Sequence, residues 1–238
     1  MTALKMAKKS SKATLGDLQN VNKVIKKVRM KKNEVVFTKI GKKEDLVVNG
    51  IGDASYKVDE KAIGGNLVLL RNKKNEKVLP LYWKLKIIKK VCHSSKEAET
   101  KNILKLVDES LYQAKMVEQI LFDDETKVEV DLFTNSKPLL DSIASTKQVE
   151  TKMMRPVIAD MKDKLIDSSV KSFKWMETRK MVADILTKEK VVSKDVDDIV
   201  YRNIYEGIGE ETNKVIFNGA EVKMTHPAVP GVGESVDN

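Results

Sequence analysis

Three acidic residues in this chain stand where their carboxylates could meet. Asp53 follows a strand-like segment, Glu99 lies in the first turns of a long helical segment, and Asp184 lies in a later helical segment. A strand end and two helix starts can converge on one edge of a sheet flanked by helices. Three carboxylates at one edge repel unless a hard dication lies between them, and Mg²⁺ prefers such oxygen ligands. The pattern therefore predicts a site for Mg²⁺ or Mn²⁺ that acts on a phosphodiester. Because Asp and Glu together number 35, solvated surface charges are the alternative.

The net charge of +9 indicates an anionic partner. Nearly all of the 44 basic residues are lysines, which suit phosphate backbones better than the bidentate recognition of bases. Four of these lysines precede Glu99 closely, and we expect them to border a nucleic-acid path: Lys84, Lys86, Lys89 and Lys90. A purely solubilising lysine surface is the alternative.

The single cysteine excludes an internal disulfide and is typical of a reducing compartment. With only two histidines beside it, the chain lacks the ligands for a structural zinc site, so any metal must be held by oxygen. The longest apolar runs are shorter than a membrane span of ~20 residues. We expect an intracellular protein, cytoplasmic or nuclear, with no membrane partner.

Hydrophobic periodicity indicates the elements that must position the acids. It predicts helices over 14–30, 95–121, 137–144, 150–166, 180–188 and 195–206, and strands over 45–56, 66–71, 78–86, 127–134 and 169–176. Three strands in a meander followed by alternating helices and strands predict an α/β fold of mixed α+β character, with a five-stranded mixed sheet flanked by helices. The expected organisation is a basic arm and connection helix at 1–43, the main domain at 44–190, and a C-terminal helix with a disordered tail at 191–238.

Five segments together resemble the RNase H domain of copia-type retrotransposon polyproteins. The strongest are Ser94–Glu99 (SSKEAE), similar to the family's S-S-x-E-A-E motif, and Val182–Lys188 (VADILTK), similar to its L-A-D-x-x-T-K signature. The others are Pro80–Lys86 (PLYWKLK), Gly52–Ser55 (GDAS) and Leu132–Lys137 (LFTNSK). The five segments follow the family's order over roughly residues 14–206.

The resemblance implies an RNase H-like fold in which Asp53, Glu99 and Asp184 bind metal. Glu97 would then be a helix-start residue rather than a ligand. The family's fourth catalytic carboxylate falls at position 135, where this chain has Asn135. Asparagine keeps a neutral carbonyl oxygen but lacks the charge that holds a dication. Asp131 cannot replace it, because four residues of strand place it ~13 Å away.

The activity implied by the resemblance is Mg²⁺-dependent hydrolysis of the RNA strand of an RNA–DNA hybrid, leaving a 3′-hydroxyl. Asn135 predicts that this activity is impaired. The partners implied are RNA–DNA hybrid or another nucleic acid, and a reverse-transcriptase region of the same polyprotein. The alternative is a catalytically inactive remnant that binds nucleic acid or a protein. Whether the chain is a fragment of a polyprotein or stands alone is left open.

Overall fold

The structure is a computed structural model that describes residues 14–30, 37–56, 61–122, 126–147, 149, 151–188, 194–208 and 213–226. Its helices and strands, in chain order, are α1 (Leu15–Met30), β1 (Leu46–Ser55), β2 (Ile63–Asn72), β3 (Val78–Ile87), α2 (Ser95–Phe122), β4 (Glu129–Thr134), α3 (Lys137–Ala144), α4 (Arg155–Ile166), β5 (Ser172–Trp175), α5 (Asp184–Thr187), α6 (Lys194–Asp197), β6 (Lys214–Phe217) and β7 (Val222–Thr225). Residues 1–13 of the expected basic arm and residues 227–238 of the expected tail lie outside the described residues.

The strands form one sheet in the order β3-β2-β1-β4-β5-β6-β7. β1, β2 and β3 pair antiparallel, whereas β4 runs parallel to β1 and β5 parallel to β4. β6 and β7 then continue the sheet as antiparallel neighbours of β5. The mixed sheet with its helices is confirmed.

The expectation of five strands is wrong, because the sheet has seven. The two additional strands, β6 and β7, lie in the stretch 191–238 that was assigned to a helix and a tail. Asn218 and Gly219 form the turn between them: the Asn218 Oδ1 accepts the backbone N–H groups of Ala220 and Glu221, at 3.1 and 2.9 Å. Gly219 has a φ of 91°, which favours glycine.

β1 is an interior strand of the sheet, between β2 and β4, and is buried at every residue except its last. Two hydrophobic clusters explain this burial, one on each face of the sheet. The larger lies under α2, α3 and α4, and the smaller lies under the chain between about residues 176 and 205. A strand covered on both faces has no solvent-exposed polar face, and the polar side chains of β1 that are buried, Asn49 and Asp53, form hydrogen bonds within the protein.

Two helix starts are fixed by capping contacts. At α1, the Thr14 Oγ1 accepts the Asp17 backbone N–H at 3.2 Å and the Asp17 carboxylate accepts the Thr14 N–H at 3.0 Å. At α2, the Ser94 Oγ accepts the Glu97 N–H at 3.1 Å, and the Glu97 carboxylate accepts the His93 N–H at 2.8 Å. Both are capping boxes in character, and the helix-start role of Glu97 is therefore confirmed.

The helix predicted over 195–206 is only partly present. An α-turn at Lys194–Asp197 passes into a π-turn at Asp198–Arg202, which ends at Asn203 with a φ of 57°. No helix in the described part of the chain has the length and apolar character to cross a membrane.

Candidate functional site

The carboxylate cluster consists of Asp53, Glu99 and Asp184. Their exposed fractions are 2%, 8% and 7%, so all three acids are buried. Asp53 lies near the carboxyl end of β1, Glu99 in the first turns of α2, and Asp184 at the first residue of α5. The structure therefore brings together one strand end and two helix starts.

Protein donors engage each acid of the carboxylate cluster. The Glu99 Oε1 accepts the backbone N–H of Ala54 at 3.1 Å, which joins the start of α2 to the end of β1. The hydroxyl of Thr187 donates to the Asp53 Oδ2. The Lys188 Nζ contacts the Asp184 Oδ2 at 2.6 Å.

Asn135 lies beside Asp53. β1 and β4 align Ile51 with Phe133, so continuing the parallel register by two residues sets Asp53 next to Asn135. The Asn135 Nδ2 points at the Asp53 Oδ1 from 3.4 Å, a long contact in which the amide presents its donor rather than its carbonyl. The position at which the family has a carboxylate is thus occupied by a hydrogen-bond donor.

The other oxygen of Asp184 is not satisfied. Within the described residues, the Asp184 Oδ1 is buried and has no hydrogen-bond partner. A buried, unpaired carboxylate oxygen is costly, and native structures contain few such atoms. The Asp184 Oδ1 therefore lacks the hydrogen-bond donor or positive group that a buried carboxylate oxygen needs.

The charges in the cluster strongly perturb one another. Burial, followed by the charge of Asp53, raises the pKa of Glu99 to about 8. Burial also raises the pKa of Asp184, and Asp53 adds to this while Lys188 opposes it. Burial acts to lower the pKa of Lys188, but its hydrogen bond to Asp184 and the charges of the three acids outweigh burial and raise the pKa. At neutral pH Glu99 is therefore mostly protonated, and Lys188 is charged.

Two adjacent glycines allow the helices to approach the site. A Cβ on Gly64 would lie 2.0 Å from the Asn102 Oδ1, and a Cβ on Gly65 would lie 2.8 Å from the Leu186 Cβ. The Asn102 amide donates to the Asp53 carbonyl at 3.0 Å. Because Gly64 and Gly65 have no side chains, α2 and α5 can pack closely against β2 next to the end of β1 that carries Asp53.

A divalent cation does not fit the cluster as its side chains lie. Among the described residues, no three or more histidine, cysteine, aspartate or glutamate side chains are grouped so as to hold a metal ion. Both oxygens of Asp53, the Oε1 of Glu99 and the Oδ2 of Asp184 already face protein donors. The Asp184 Oδ1 is a fully buried oxygen of the cluster without a partner in the described residues.

The four predicted nucleic-acid-binding lysines line one groove together with two others. This lysine groove runs between β3, the first half of α2 and the turn before α4, and its cavity measures about 310 Å³. Its basic residues are Lys84, Lys86, Lys89, Lys90, Lys101 and Lys105. Its apolar floor includes Leu104, Met154 and Val157.

Three of the predicted lysines are free to meet an anion. Lys86, Lys89 and Lys90 are exposed, and none has an ion-pair partner in the described part of the chain. Lys84 is 3.8 Å from Glu109, whose carboxylate also accepts the Tyr82 hydroxyl. Lys86 lies opposite Gly64 on β2, which lies opposite Ala54 on β1. Two strand spacings, about 10 Å, separate the backbones of Lys86 and Ala54, but side chains alternate along a strand, so Lys86 and Asp53 point to opposite faces of the sheet.

Several residues at the site have roles that were not predicted from the sequence. Thr187 and Lys188 were visible only as the end of a motif, and Lys101 and Lys105 only as helical lysines. The Gly64–Gly65 pair is the signal for a close approach on β2. Trp83 lies on the edge strand β3 and is 63% exposed.

The fold and site thus define a mixed α/β domain with a buried acidic cluster and a basic groove. No protein-family model matches the chain, and the comparison with curated proteins gives no match. Among solved structures, an RNase H1 isolated from compost by a metagenomic approach matches with a TM-score of 0.41, 14% identity, and 60% of this chain and 91% of that chain covered.

Two further solved structures have similar or lower scores. LC11-RNase H1 in complex with an RNA/DNA hybrid has a TM-score of 0.39 at 14% identity, covering 58% of this chain and 88% of that chain. The NurA nuclease from Sulfolobus solfataricus has a TM-score of 0.30 at 11% identity, covering 90% of this chain and 76% of that chain. All three TM-scores are below 0.5, so these likenesses carry no functional argument for this chain.

Proposed function

We propose that the chain is an RNase H-like domain of a copia-type retroelement that binds RNA–DNA hybrid through the phosphate backbone. The carrying observation is that one domain has both a buried carboxylate cluster at the end of β1 and a groove whose exposed lysines have no ion-pair partner among the described residues. Lysine lacks the planar guanidinium group with which arginine makes bidentate contacts to bases. The exposed lysines of the groove therefore favour contact with backbone phosphates over sequence-specific recognition of bases. The motifs around Asp53, Glu99 and Asp184 support the retroelement origin.

Hydrolysis by this chain is proposed to be absent or severely reduced. The family's reaction needs carboxylates that hold divalent metal, and Asn135 presents an N–H donor at one of those positions. The other acids are engaged by Ala54, Thr187 and Lys188. Loss of one correctly placed group in such a site costs orders of magnitude in rate.

The binding proposal is tested with a fluorescent RNA–DNA hybrid and anisotropy over a range of salt concentrations. Affinity for a nucleic-acid backbone falls as salt rises, with a slope of about −0.9 for each phosphate neutralised on a duplex. Replacing Lys86 and Lys89 with glutamine is expected to reduce the magnitude of that slope by about 2. Lys127 and Lys223, exposed lysines outside the groove, supply the matched control pair.

An unchanged slope in the groove variant, or equal losses in groove and control variants, would contradict the use of this groove. Absence of binding at low salt would contradict nucleic-acid recognition altogether. It would leave a protein-binding remnant as the alternative function. Cleavage is read from the same hybrid after incubation with Mg²⁺ or Mn²⁺.

A further inference from the structure

Trp83 presents a large apolar surface at the edge of the sheet. Its side chain is 63% exposed, and it lies within β3, an edge strand. In the described part of the chain the indole has no hydrogen bond and no cation over its ring. Trp175, the other tryptophan, packs instead against the larger hydrophobic cluster. Edge strands are usually protected by charged side chains, and packing within this chain leaves Trp83 unexplained.

The strand register determines the face of the sheet on which Trp83 lies. Trp83 is aligned with Leu67 on β2, and Leu67 is aligned with Ile51 on β1. Leu67 and Ile51 both belong to the smaller hydrophobic cluster. Asp53 follows Ile51 by two residues and therefore points to the same face. Trp83 thus shares a face of the sheet with the carboxylate cluster.

The separation of Trp83 from Asp53 suits a short stretch of a nucleic-acid strand. Two strand spacings across the sheet and two residues along β1 place their backbones about 12 Å apart. That distance corresponds to a few nucleotides, at about 3.4 Å of duplex axis for each. A strand that contacts Trp83 can therefore reach the carboxylate cluster without crossing the sheet.

The same edge strand also carries lysines of the groove. Side chains alternate along β3, so Lys84 and Lys86 point to the face opposite Trp83 and line the groove there. The two faces meet along β3 because no further strand pairs with it in the described part of the chain. A nucleic acid bound at this edge can thus meet lysines through its phosphates and Trp83 through a base.

The chemistry of the indole restricts the kind of base. An aromatic side chain binds a nucleobase by stacking on its flat face. Inside a duplex the neighbouring base pairs cover both flat faces, so only an unpaired or terminal base is accessible. We propose that Trp83 stacks on a base of a single-stranded segment that flanks the RNA–DNA hybrid. This inference rests on the proposed binding of hybrid and adds to it the class of substrate: a hybrid with an unpaired flank.

The test compares two hybrids of equal charge that differ only in a short single-stranded DNA flank. One flank carries bases and the other is abasic, so a difference in affinity reports contacts to bases and not to phosphates. By fluorescence anisotropy at one salt concentration, the full wild-type chain should bind the base-bearing hybrid at least about fivefold more tightly, the lower end of the range for one stacked base. Trp83→Ala should bind both hybrids equally, whereas Trp83→Phe, which keeps a ring, should retain part of the preference.

Tyr112→Ala is the matched control. Tyr112 is an aromatic residue of similar exposure, 61%, on α2, and it does not line the groove. This variant should keep the full preference for the base-bearing flank. An equal loss in Tyr112→Ala and Trp83→Ala would overturn the assignment of the contact to Trp83.

A second readout follows the indole itself. Trp175→Phe leaves Trp83 as the one tryptophan of the chain, and its emission should be quenched by the base-bearing hybrid but not by the abasic one. Equal affinity of the wild type for the two hybrids, or unchanged Trp83 emission on binding, would overturn the inference while the proposed hybrid binding stands. Binding of neither hybrid at low salt would instead overturn the proposed function and this inference with it. The wild-type comparison needs no variant, so it decides the question even if a variant fails to fold.

Discussion

Two buried acidic sites on the same face of the sheet differ in how their charge is balanced. Asp131 on β4 receives the Ser172 hydroxyl at 2.5 Å and the Lys174 ammonium at 2.6 Å, so one acid meets one cation and one donor. The carboxylate cluster gathers three acids around Lys188 and leaves one oxygen without a partner in the described residues. The balanced pair can be explained by folding alone, whereas the unbalanced cluster cannot.

That difference indicates which site is structural. A buried ion pair is strongly destabilising when one partner is removed, but a complete pair is close to neutral. Excess buried negative charge destabilises the folded chain unless something else binds it. We therefore assign the Asp131–Lys174 pair to the architecture of β4 and β5, and the carboxylate cluster to a function inherited with the fold.

The largest expected effect is the loss of the balanced pair. Asp131→Ala leaves the Lys174 ammonium, which is 15% exposed, without its partner and should lower the free energy of unfolding by about 3–5 kcal/mol. Urea unfolding at neutral pH measures this change. The double variant Asp131→Ala/Lys174→Met should regain most of the loss. A single-variant loss below about 1 kcal/mol would instead place the pair with weak surface ion pairs.

The second prediction concerns pH and the unbalanced cluster. Burial and the charge of Asp53 raise the pKa of Glu99 from its usual 4.5 to about 8, so between these values the folded chain holds a proton that the unfolded chain releases. Stability must therefore fall as pH rises through this window. Glu99→Gln keeps an acceptor for Ala54 and should gain roughly 2–4 kcal/mol at pH 8 relative to the wild type.

Thermal or urea unfolding between pH 5 and pH 8 provides the readout for Glu99→Gln. The gain should shrink toward pH 5, because the free-energy cost of keeping the folded carboxyl protonated falls as the pH approaches the unfolded pKa of 4.5. Asp131→Asn provides a comparison at the balanced site. Identical pH slopes for wild type and Glu99→Gln would mean that Glu99 is not the group that makes the cluster unfavourable.

The third prediction adds a charge to the cluster. Asn135→Asp replaces an amide 3.4 Å from the Asp53 carboxylate with another acid. In the presence of a chelator we expect the free energy of unfolding to fall by about 1–2 kcal/mol. This corresponds to charge repulsion that shifts a pKa by about one unit. Millimolar Mg²⁺ should restore more of this loss than it adds to the wild type. Asn135→Ser, which adds no charge, serves as the control and should show no response to Mg²⁺.

The smallest expected effects come from the hydroxyl donor at each site. Ser172→Ala removes a hydrogen bond to Asp131, and Thr187→Val removes one to Asp53. Each should cost about 1 kcal/mol, since each removes one hydrogen bond and leaves the nearby lysine in place. Similar losses, measured by chemical unfolding, would mean that the two sites differ in charge and not in hydrogen bonding. A loss several times greater at Thr187 would contradict that distinction.

Much of the fold could be predicted because its elements have strong local signals. The periodicity predicted a helix over 95–121, and α2 spans Ser95–Phe122. The hairpin of β2 and β3 and the helix over 137–144 were likewise predicted, and the structure has them. The positions of Asp53, Glu99 and Asp184 could be predicted to converge because each acid ends a strand or begins a helix.

The rest depended on weaker or tertiary signals. β6 and β7 have four residues each, too few for a periodic pattern, although the Asn218-Gly219 dipeptide between them is a hairpin signal. The pairing of Lys188 with Asp184 depends on how α5 lies against Gly65 on β2, which no local pattern in α5 determines. The exposure of Trp83 follows from β3 being an edge strand, which is a property of strand order.

The central claim is that the chain binds RNA–DNA hybrid without cutting it efficiently. It is tested most directly by incubating one labelled hybrid with wild-type protein and with Asn135→Asp, in Mg²⁺ and in Mn²⁺, and measuring binding and cleavage on the same sample. We predict salt-dependent binding by both proteins, negligible cleavage by the wild type and greater cleavage by Asn135→Asp. Rapid cleavage by the wild type, or no binding by either folded protein at low salt, would contradict the account.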